Sequence, residues 1–206
     1  APSFSFDEGA VHYLTTSSLA SYDASFSAEA GLSVIATYKV GNEDTQTLSY
    51  GYVNGVYKAD FSAIVFGTAN SIVVTVTATD AAGNPSSQTQ TINKAILSIT
   101  DHTAVSFINA QSADDFVVVS GKVSDNVPEV DLPTVTVTLT LTDEADQSNI
   151  IRITTQAAAD GSFSFSFTAS ELGTLAETSY SIVLLAESTV RESVSQAFDG
   201  ALVVDK

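Results

Sequence analysis

The segment "DNVPEVD" (125–131) carries the oxygen-bearing side chains that a hard cation prefers. Asp125, Asn126, Glu129 and Asp131 all lie within it. Calcium takes about six to eight oxygen ligands in irregular geometry, and such a segment can supply several of them. It is not an EF-hand, because the alternate acids and the central glycine of that loop are absent. The segment is therefore a candidate Ca²⁺ site, and the alternative is a solvated acidic loop.

A second acidic turn, "DAAGN" (80–84), has two interpretations. In the structural one, Asp80 accepts backbone N–H groups, Gly83 supplies a positive φ and Asn84 closes the turn. In the functional one, Asp80 binds Ca²⁺ together with Asp7. The residue types favour the structural role.

The residues that could carry catalysis form no recognised motif. The sequence has no Gly-x-Ser-x-Gly elbow, no His-Glu-x-x-His and no phosphate-binding glycine loop. His12 and His102 have no second histidine near them in the sequence, and the absence of cysteine excludes disulfides and thiolate metal sites. We therefore predict that the protein has no catalytic residues and is not an enzyme.

The charge of the chain excludes one class of partner. Its 24 acids and 7 bases give a net charge of −17, whereas binding to nucleic acid requires clustered Lys and Arg. No apolar segment approaches the ~20 residues of a membrane helix, so we expect no membrane insertion. The acidic, cysteine-free composition fits a protein that works outside a bacterial cell.

An alternation of apolar and hydroxyl side chains predicts an all-β protein. It runs through segments 72–79, 134–142 and 162–167, and each segment has one apolar and one polar face, as in an antiparallel sheet. A helical spacing occurs only in segments 24–31 and 168–175.

Two turn signals predict hairpins. "VNGV" (53–56) and "ADGS" (159–162) place Asn-Gly and Asp-Gly between alternating segments. Around the first of them, we expect Tyr50 and Tyr52 to share one face and to pack against Tyr57 across the hairpin.

The same signals reveal an internal repeat. Asn54 and Asp160 are 106 residues apart, and Ala78 and Ala186, in corresponding late strands, are 108 apart. Repetition at one spacing indicates tandem domains. The sequence predicts two β-sandwiches, residues 1–93 and 94–206.

The closing hairpin of the first domain (72–92) carries the clearest family resemblance. Its segment "VTVTATDAAGNPSSQTQTI" (74–92) resembles the last hairpin of bacterial immunoglobulin-like repeats, which occur in long chains in large Gram-negative surface adhesins of the RTX type. The second domain resembles the same family in "VVVSGKVSD" (117–125), "TVTVTLTLTD" (134–143), "AAADGSFSFSFTASELGTLAETSYSIVLLAE" (157–187) and "ALVVDK" (201–206). The resemblance implies two tandem immunoglobulin-like antiparallel β-sandwiches.

The resemblance also implies a function. A chain of this family would be a stalk segment at the bacterial cell surface, joined to neighbouring repeats of its own chain and holding a distal domain that binds a host or surface ligand. Calcium would stiffen the domain junctions, and the family's strand order would bring Asp101 to the segment 125–131. The sequence departs from the family where Ser188 stands in place of Asp80 and where Asn93 occupies the linker.

Two alternatives from other classes stay open at this stage. The N-terminal segment, with Phe4 and Phe6 in alternation, could complete the sheet of another chain and build a filament. The tyrosines of the first domain, or the segment 187–204, could form the surface of a ligand-binding or glycan-binding module.

Overall fold

The division of the chain into two units falls close to the predicted boundary. The computed structural model describes residues 2–6, 11–22, 24–54, 56–109, 116–128 and 132–205. Unit 1 is Ala1–Ala95 and unit 2 is Ile96–Lys206, so the division falls two residues beyond the predicted boundary. Each unit contains its own cluster of buried apolar side chains.

The described part of unit 1 has nine strands and one short helix. They are β1 (Phe4–Phe6), β2 (Val11–Leu14), α1 (Thr16–Leu19), β3 (Ser25–Ala28), β4 (Ser33–Val40), β5 (Gln46–Thr47), β6 (Tyr50–Val53), β7 (Val56–Ala59), β8 (Ser71–Thr79) and β9 (Pro85–Lys94). The strands form two sheets, in the orders β1-β3-β7-β6 and β2-β9-β8-β4-β5.

Unit 2 repeats this plan with eight strands and one helix in its described part. They are β10 (Leu97–Ala104), β11 (Phe107–Asn109), β12 (Phe116–Asp125), β13 (Thr136–Asp143), β14 (Ile150–Gln156), β15 (Ser162–Phe167), α2 (Ala169–Thr174), β16 (Ser179–Glu187) and β17 (Val194–Asp205). The sheet orders are β10-β12-β15 and β11-β17-β16-β13-β14.

The first stretch of each unit crosses from one sheet to the other. In unit 1, β1 pairs antiparallel with β3, and β2 then pairs parallel with the last strand, β9. In unit 2, β10 pairs antiparallel with β12, and β11 pairs parallel with β17. Two packed sheets with this connectivity are immunoglobulin-like β-sandwiches. The predicted fold class is therefore confirmed.

The cores follow the alternation that the sequence predicts. Val137, Leu139 and Leu141 of β13 are fully buried, and the threonines between them point to the other face. In β15, Phe163 and Phe165 are buried and the serines are exposed. One face of each sheet thus supplies the apolar area that stabilises the sandwich.

Tyr180 adds a second feature of immunoglobulin domains to unit 2. It is fully buried at the start of β16, and its hydroxyl accepts a hydrogen bond of 2.9 Å from the backbone N–H of Ala176. A tyrosine at this place that binds the backbone a few residues upstream is known as a tyrosine corner.

The structure corrects three local predictions. Segment 24–31 contains the strand β3 rather than a helix, because Phe26 is buried and pairs on both sides, with β1 and β7. A helix absent from the prediction, α1, begins after Thr15. The turn at Gly161, with a φ of 84°, joins β14 to a strand of the other sheet, so the predicted hairpin there is wrong. The helix predicted within 168–175 is confirmed as α2.

Candidate functional site

Asp125, a predicted calcium ligand, is paired with Arg191. Asp125 is the last residue of β12, and Arg191 lies in the turn between β16 and β17. The Nε of Arg191 donates to Oδ2 of Asp125 over 2.6 Å, and its Nη1 donates to the carbonyl of Val190 over 2.9 Å. The two side chains are only 10% (Arg191) and 7% (Asp125) exposed. The carboxylate therefore already contacts a positive charge.

Asn126, the next predicted ligand, holds the first residues of unit 2. Its side-chain oxygen accepts a hydrogen bond of 2.9 Å from the N–H of Ile96, and its own N–H donates to the carbonyl of Ile96 over 3.3 Å. The N–H of Leu97 donates to the carbonyl of Glu192, next to Arg191, over 3.1 Å. Asp125, Asn126 and the β16–β17 turn thus join three segments of unit 2.

Asp101 does not lie beside Asp125. Leu97 is the residue of β10 that pairs with Asp125, and Asp101 lies four residues further along β10, about 13 Å away at ~3.3 Å per residue. Asp101 is exposed, has a φ of 49° and stands at an irregularity in the pairing of β10 with β12. The convergence expected from the family's strand order is not found for these two residues.

The remaining predicted ligands Glu129, Asp131 and Asp7 lie outside the described residues. Within the part of the chain that the structure describes, no group of three His, Asp or Glu side chains could hold a metal ion. Calcium binding by the segment 125–131 stays a prediction.

Asp80 has the geometry of the structural interpretation. Its Oδ1 accepts the N–H groups of Ala82 (3.0 Å) and Asn84 (2.9 Å), and its Oδ2 accepts the side-chain amide of Asn84 (2.9 Å). Gly83 has the positive φ, 85°, that the turn requires. Hydrogen bonds from the side chain and backbone of Asn84 hold the pKa of Asp80 below its usual range, as expected when donors stabilise the charged form.

The tyrosines of unit 1 pack across their hairpin as predicted. Tyr52 lies opposite Tyr57, with ring centres 4.6 Å apart, and Tyr57 stacks on the buried Phe26 at 4.9 Å. Burial raises the pKa of Tyr57. The hydroxyl of Tyr50 donates to the carbonyl of Val34 in the other sheet over 2.6 Å. Only Tyr52 is largely exposed, at 58%.

Each histidine lies against an aromatic ring. The ring of His12 lies 5.3 Å from that of Tyr22, and the ring of His102 meets Phe198 edge-on at 4.9 Å.

A cavity of about 260 Å³ in unit 2 has apolar walls that include Val105, Ile182 and Phe198, with Asp199 as its one charged lining residue. A lone carboxylate offers no acid–base pair for catalysis.

Sequence reasoning missed Arg191. The available signal was its position: it is the only basic residue in the atypical turn "ESTVRES" (187–193) of a strongly acidic domain. Its partner, 66 residues away, could not be identified from local spacing.

No protein-family model matches the chain, and no curated protein matches its sequence. Among solved structures, a tetra-tandem repeat in the extending region of a large adhesion protein is 21% identical and covers 98% of this chain and 49% of its own, with a TM-score of 0.40. A Ca²⁺-stabilized adhesin that helps an Antarctic bacterium reach out and bind ice is 20% identical over 100% of this chain and 49% of its own, with a TM-score of 0.39.

DIP-gamma IG1+IG2 is 12% identical and covers 100% of this chain and 99% of its own, with a TM-score of 0.42. The structural neighbours thus include immunoglobulin-like domains of bacterial adhesins and of other proteins. This chain spans about half the length of the two adhesin structures. At these scores the neighbours do not assign a function to this chain. Among the described residues, no helix has the length and apolar content needed to cross a membrane.

Proposed function

We propose that this chain is a non-enzymatic stalk segment of an extracellular bacterial adhesin, in which each unit acts as an extender. The observation that carries the proposal is the parallel pairing of the second and last strands within each unit, β2 with β9 and β11 with β17. Strands that run in the same direction bring the chain in at one end of a sandwich and out at the opposite end. Units of this kind can be joined end to end, and each one adds its length.

The same pairing suits a unit that is pulled. A force applied to the two ends of a unit acts along β2 and β9 in opposite directions, so all the hydrogen bonds between them must yield together. Strands that entered and left at one end would separate one bond at a time. Strands β8 and β16 lie next to the last strand of each unit, bury alternate side chains in the core and support that last strand with a long antiparallel ladder.

The chemistry of the described side chains favours a structural protein over an enzyme. The carboxylate of Asp80 is occupied by donors of its own turn, and that of Asp125 is occupied by Arg191. Both histidines pack on aromatic rings. The neighbouring repeats of the same longer chain would be the partners of these units.

The filament alternative has less support. Phe4 of β1 is 7% exposed within the core of unit 1, and β1 pairs with β3 of its own chain. The ligand-binding alternative has one supporting observation, the 58% exposure of Tyr52 on a rigid aromatic base. A glycan array compared between the parent chain and Tyr52→Ala tests it, and hits that the substitution abolishes would favour a binding module.

The extender proposal is tested by stretching single molecules from their two ends. It predicts two unfolding events, which lengthen the chain by roughly 300 Å for unit 1 and roughly 350 Å for unit 2 at ~3.4 Å per extended residue. A chain that lengthens smoothly, without discrete events, would contradict it.

A further inference from the structure

We propose that Arg191 is the built-in cation of unit 2, which neutralises Asp125 in place of a bound metal ion and clamps the first residues of the unit. We call the residues Asp125, Asn126 and Arg191, with Ile96 and Glu192, the entry clamp. The inference concerns the internal structure of unit 2 and holds independently of the proposed stalk function.

The first argument is the burial and geometry of the pair. The contact of 2.6 Å between Arg191 Nε and Asp125 Oδ2 is a charge-assisted hydrogen bond, and both side chains are about nine-tenths buried. The other oxygen of Asp125 accepts the N–H of Val127 at 3.3 Å. Both carboxylate oxygens therefore have donors, and a metal ion at Oδ2 would be repelled by the positive charge of the adjacent guanidinium.

The second argument is what the pair holds together. Arg191 is followed by Glu192, which forms a parallel bridge with Ile96 and accepts the N–H of Leu97. Asp125 is followed by Asn126, which makes two hydrogen bonds with Ile96. The ion pair thus fixes the β16–β17 turn against the end of β12, and the first residues of unit 2 are bound between them.

The third argument is the contrast with unit 1. There, the corresponding turn between β8 and β9 is closed by Asp80 and Asn84 through hydrogen bonds of its own. In unit 2 the corresponding turn has Ser188 in that place and carries Arg191 instead. Arg191, which the repeat pattern does not predict, therefore supplies the positive charge next to the buried Asp125. Without it the carboxylate would be a buried unpaired charge, which is strongly destabilising.

The test is calorimetry of the whole chain with the variants Arg191→Met, Asp125→Asn and their combination, and with Arg152→Met as the matched control. Arg152 lies in β14 of the same unit and is exposed. Arg191→Met leaves Asp125 buried and unpaired, so we expect the midpoint of unit 2 to fall by roughly 10–20 °C. The double variant should lower the midpoint of unit 2 by less than the sum of the two single reductions. Arg152→Met should change the midpoint by less than ~2 °C.

Two further readouts separate the clamp from general packing. Amide hydrogen exchange at Ile96, Leu97 and Asn126 should quicken in Arg191→Met and stay unchanged in Arg152→Met. The midpoint of unit 2 is also compared between millimolar calcium and EDTA. Any change in that midpoint should be the same in the parent and in Asp125→Asn. The inference is overturned if Arg191→Met behaves like Arg152→Met, or if calcium raises the parent midpoint by ~10 °C and Asp125→Asn abolishes that rise.

Discussion

His12 pairs with Ile92 in a parallel ladder, so the second and last strands of unit 1, β2 and β9, run in the same direction. Ile108 and Val204 have the same relationship in unit 2. Because the intervening strands pair antiparallel, this one parallel contact decides at which end of each sandwich the chain leaves. It is the structural basis of the proposed extender role.

Gly161 and Gly83 provide a matched pair for measuring a steric clash. Their φ angles are 84° and 85°, so an alanine suffers the same backbone strain at either position. A Cβ at Gly161 would collide with the carbonyl oxygen of Val123, whereas a Cβ at Gly83 meets nothing within 4 Å. We expect Gly83→Ala to lower the free energy of unfolding by about 1 kcal/mol and Gly161→Ala by about 3 kcal/mol or more, measured by urea denaturation. Equal losses would show that the turn of unit 2 moves to relieve the clash.

The hydroxyl of Tyr180 should stabilise unit 2 measurably. Tyr180→Phe keeps the buried ring and removes the acceptor of the Ala176 N–H, so we expect a loss of about 1 kcal/mol in the free energy of unfolding. Tyr50→Phe is the control, because that ring is 36% exposed and water can replace its hydroxyl at the carbonyl of Val34. Tyr50→Phe should lower the free energy of unfolding by less than ~0.5 kcal/mol. A larger loss for Tyr50→Phe than for Tyr180→Phe would contradict the assignment of a tyrosine corner.

Asp143 should make unit 2 sensitive to acid. Its burial raises the pKa, but donors from the backbone of Ala145 and Asp146 and from the side chains of Asn149 and Thr178 outweigh that effect and leave the pKa below its usual range. The stabilisation is therefore fully present above the unfolded-state pKa of about 3.9 and is lost as the pH falls through the lower folded-state value.

The measurement for Asp143 is thermal unfolding between pH 7 and pH 2. The midpoint of unit 2 in the parent chain should fall more steeply below pH 4 than that in Asp143→Asn, and at pH 7 the parent should be the more stable. Parallel pH profiles for the two proteins would mean that the carboxylate of Asp143 contributes no acid sensitivity.

Strand positions and core faces could be predicted because they depend on local alternation. Val74, Val76 and Leu139 are buried as the period of two requires, and Ala78 and Ala186 occupy corresponding strands, β8 and β16. The two helix predictions had different outcomes. In segment 24–31 a helical spacing suggested a helix, but β3 pairs on both sides and forms a strand, because tertiary contacts override local propensity.

Helix α1 was missed because its capping signal is unusual. Thr15 and Ser18 form the reciprocal pair of a capping box, with hydrogen bonds of 3.1 and 2.9 Å, where Ser18 takes the place of the usual Glu or Gln. The ion pair at the candidate site was missed for a different reason. Asp125 was predicted as a site residue because of its carboxylate. Its partner, Arg191, lies on another turn and comes next to it only in the folded sandwich.

The direction dependence of mechanical strength tests the central claim most directly. The chain has no cysteine, so a pair of introduced cysteines can serve as the two attachment points for pulling unit 1 between chosen positions. Pulling between positions 3 and 93 loads the chain along β1 and β2 and shears β1 against β3 and β2 against β9. Pulling between positions 3 and 82 applies the force at two points on the same end of the sandwich. Position 82 lies in the turn between β8 and β9. Phe4, next to position 3, accepts a hydrogen bond from Gln88 in the half of β9 nearest that turn. We predict a clearly higher unfolding force for the first pair than for the second. Equal forces in both directions would contradict the account of each unit as an extender built to be pulled from its two ends.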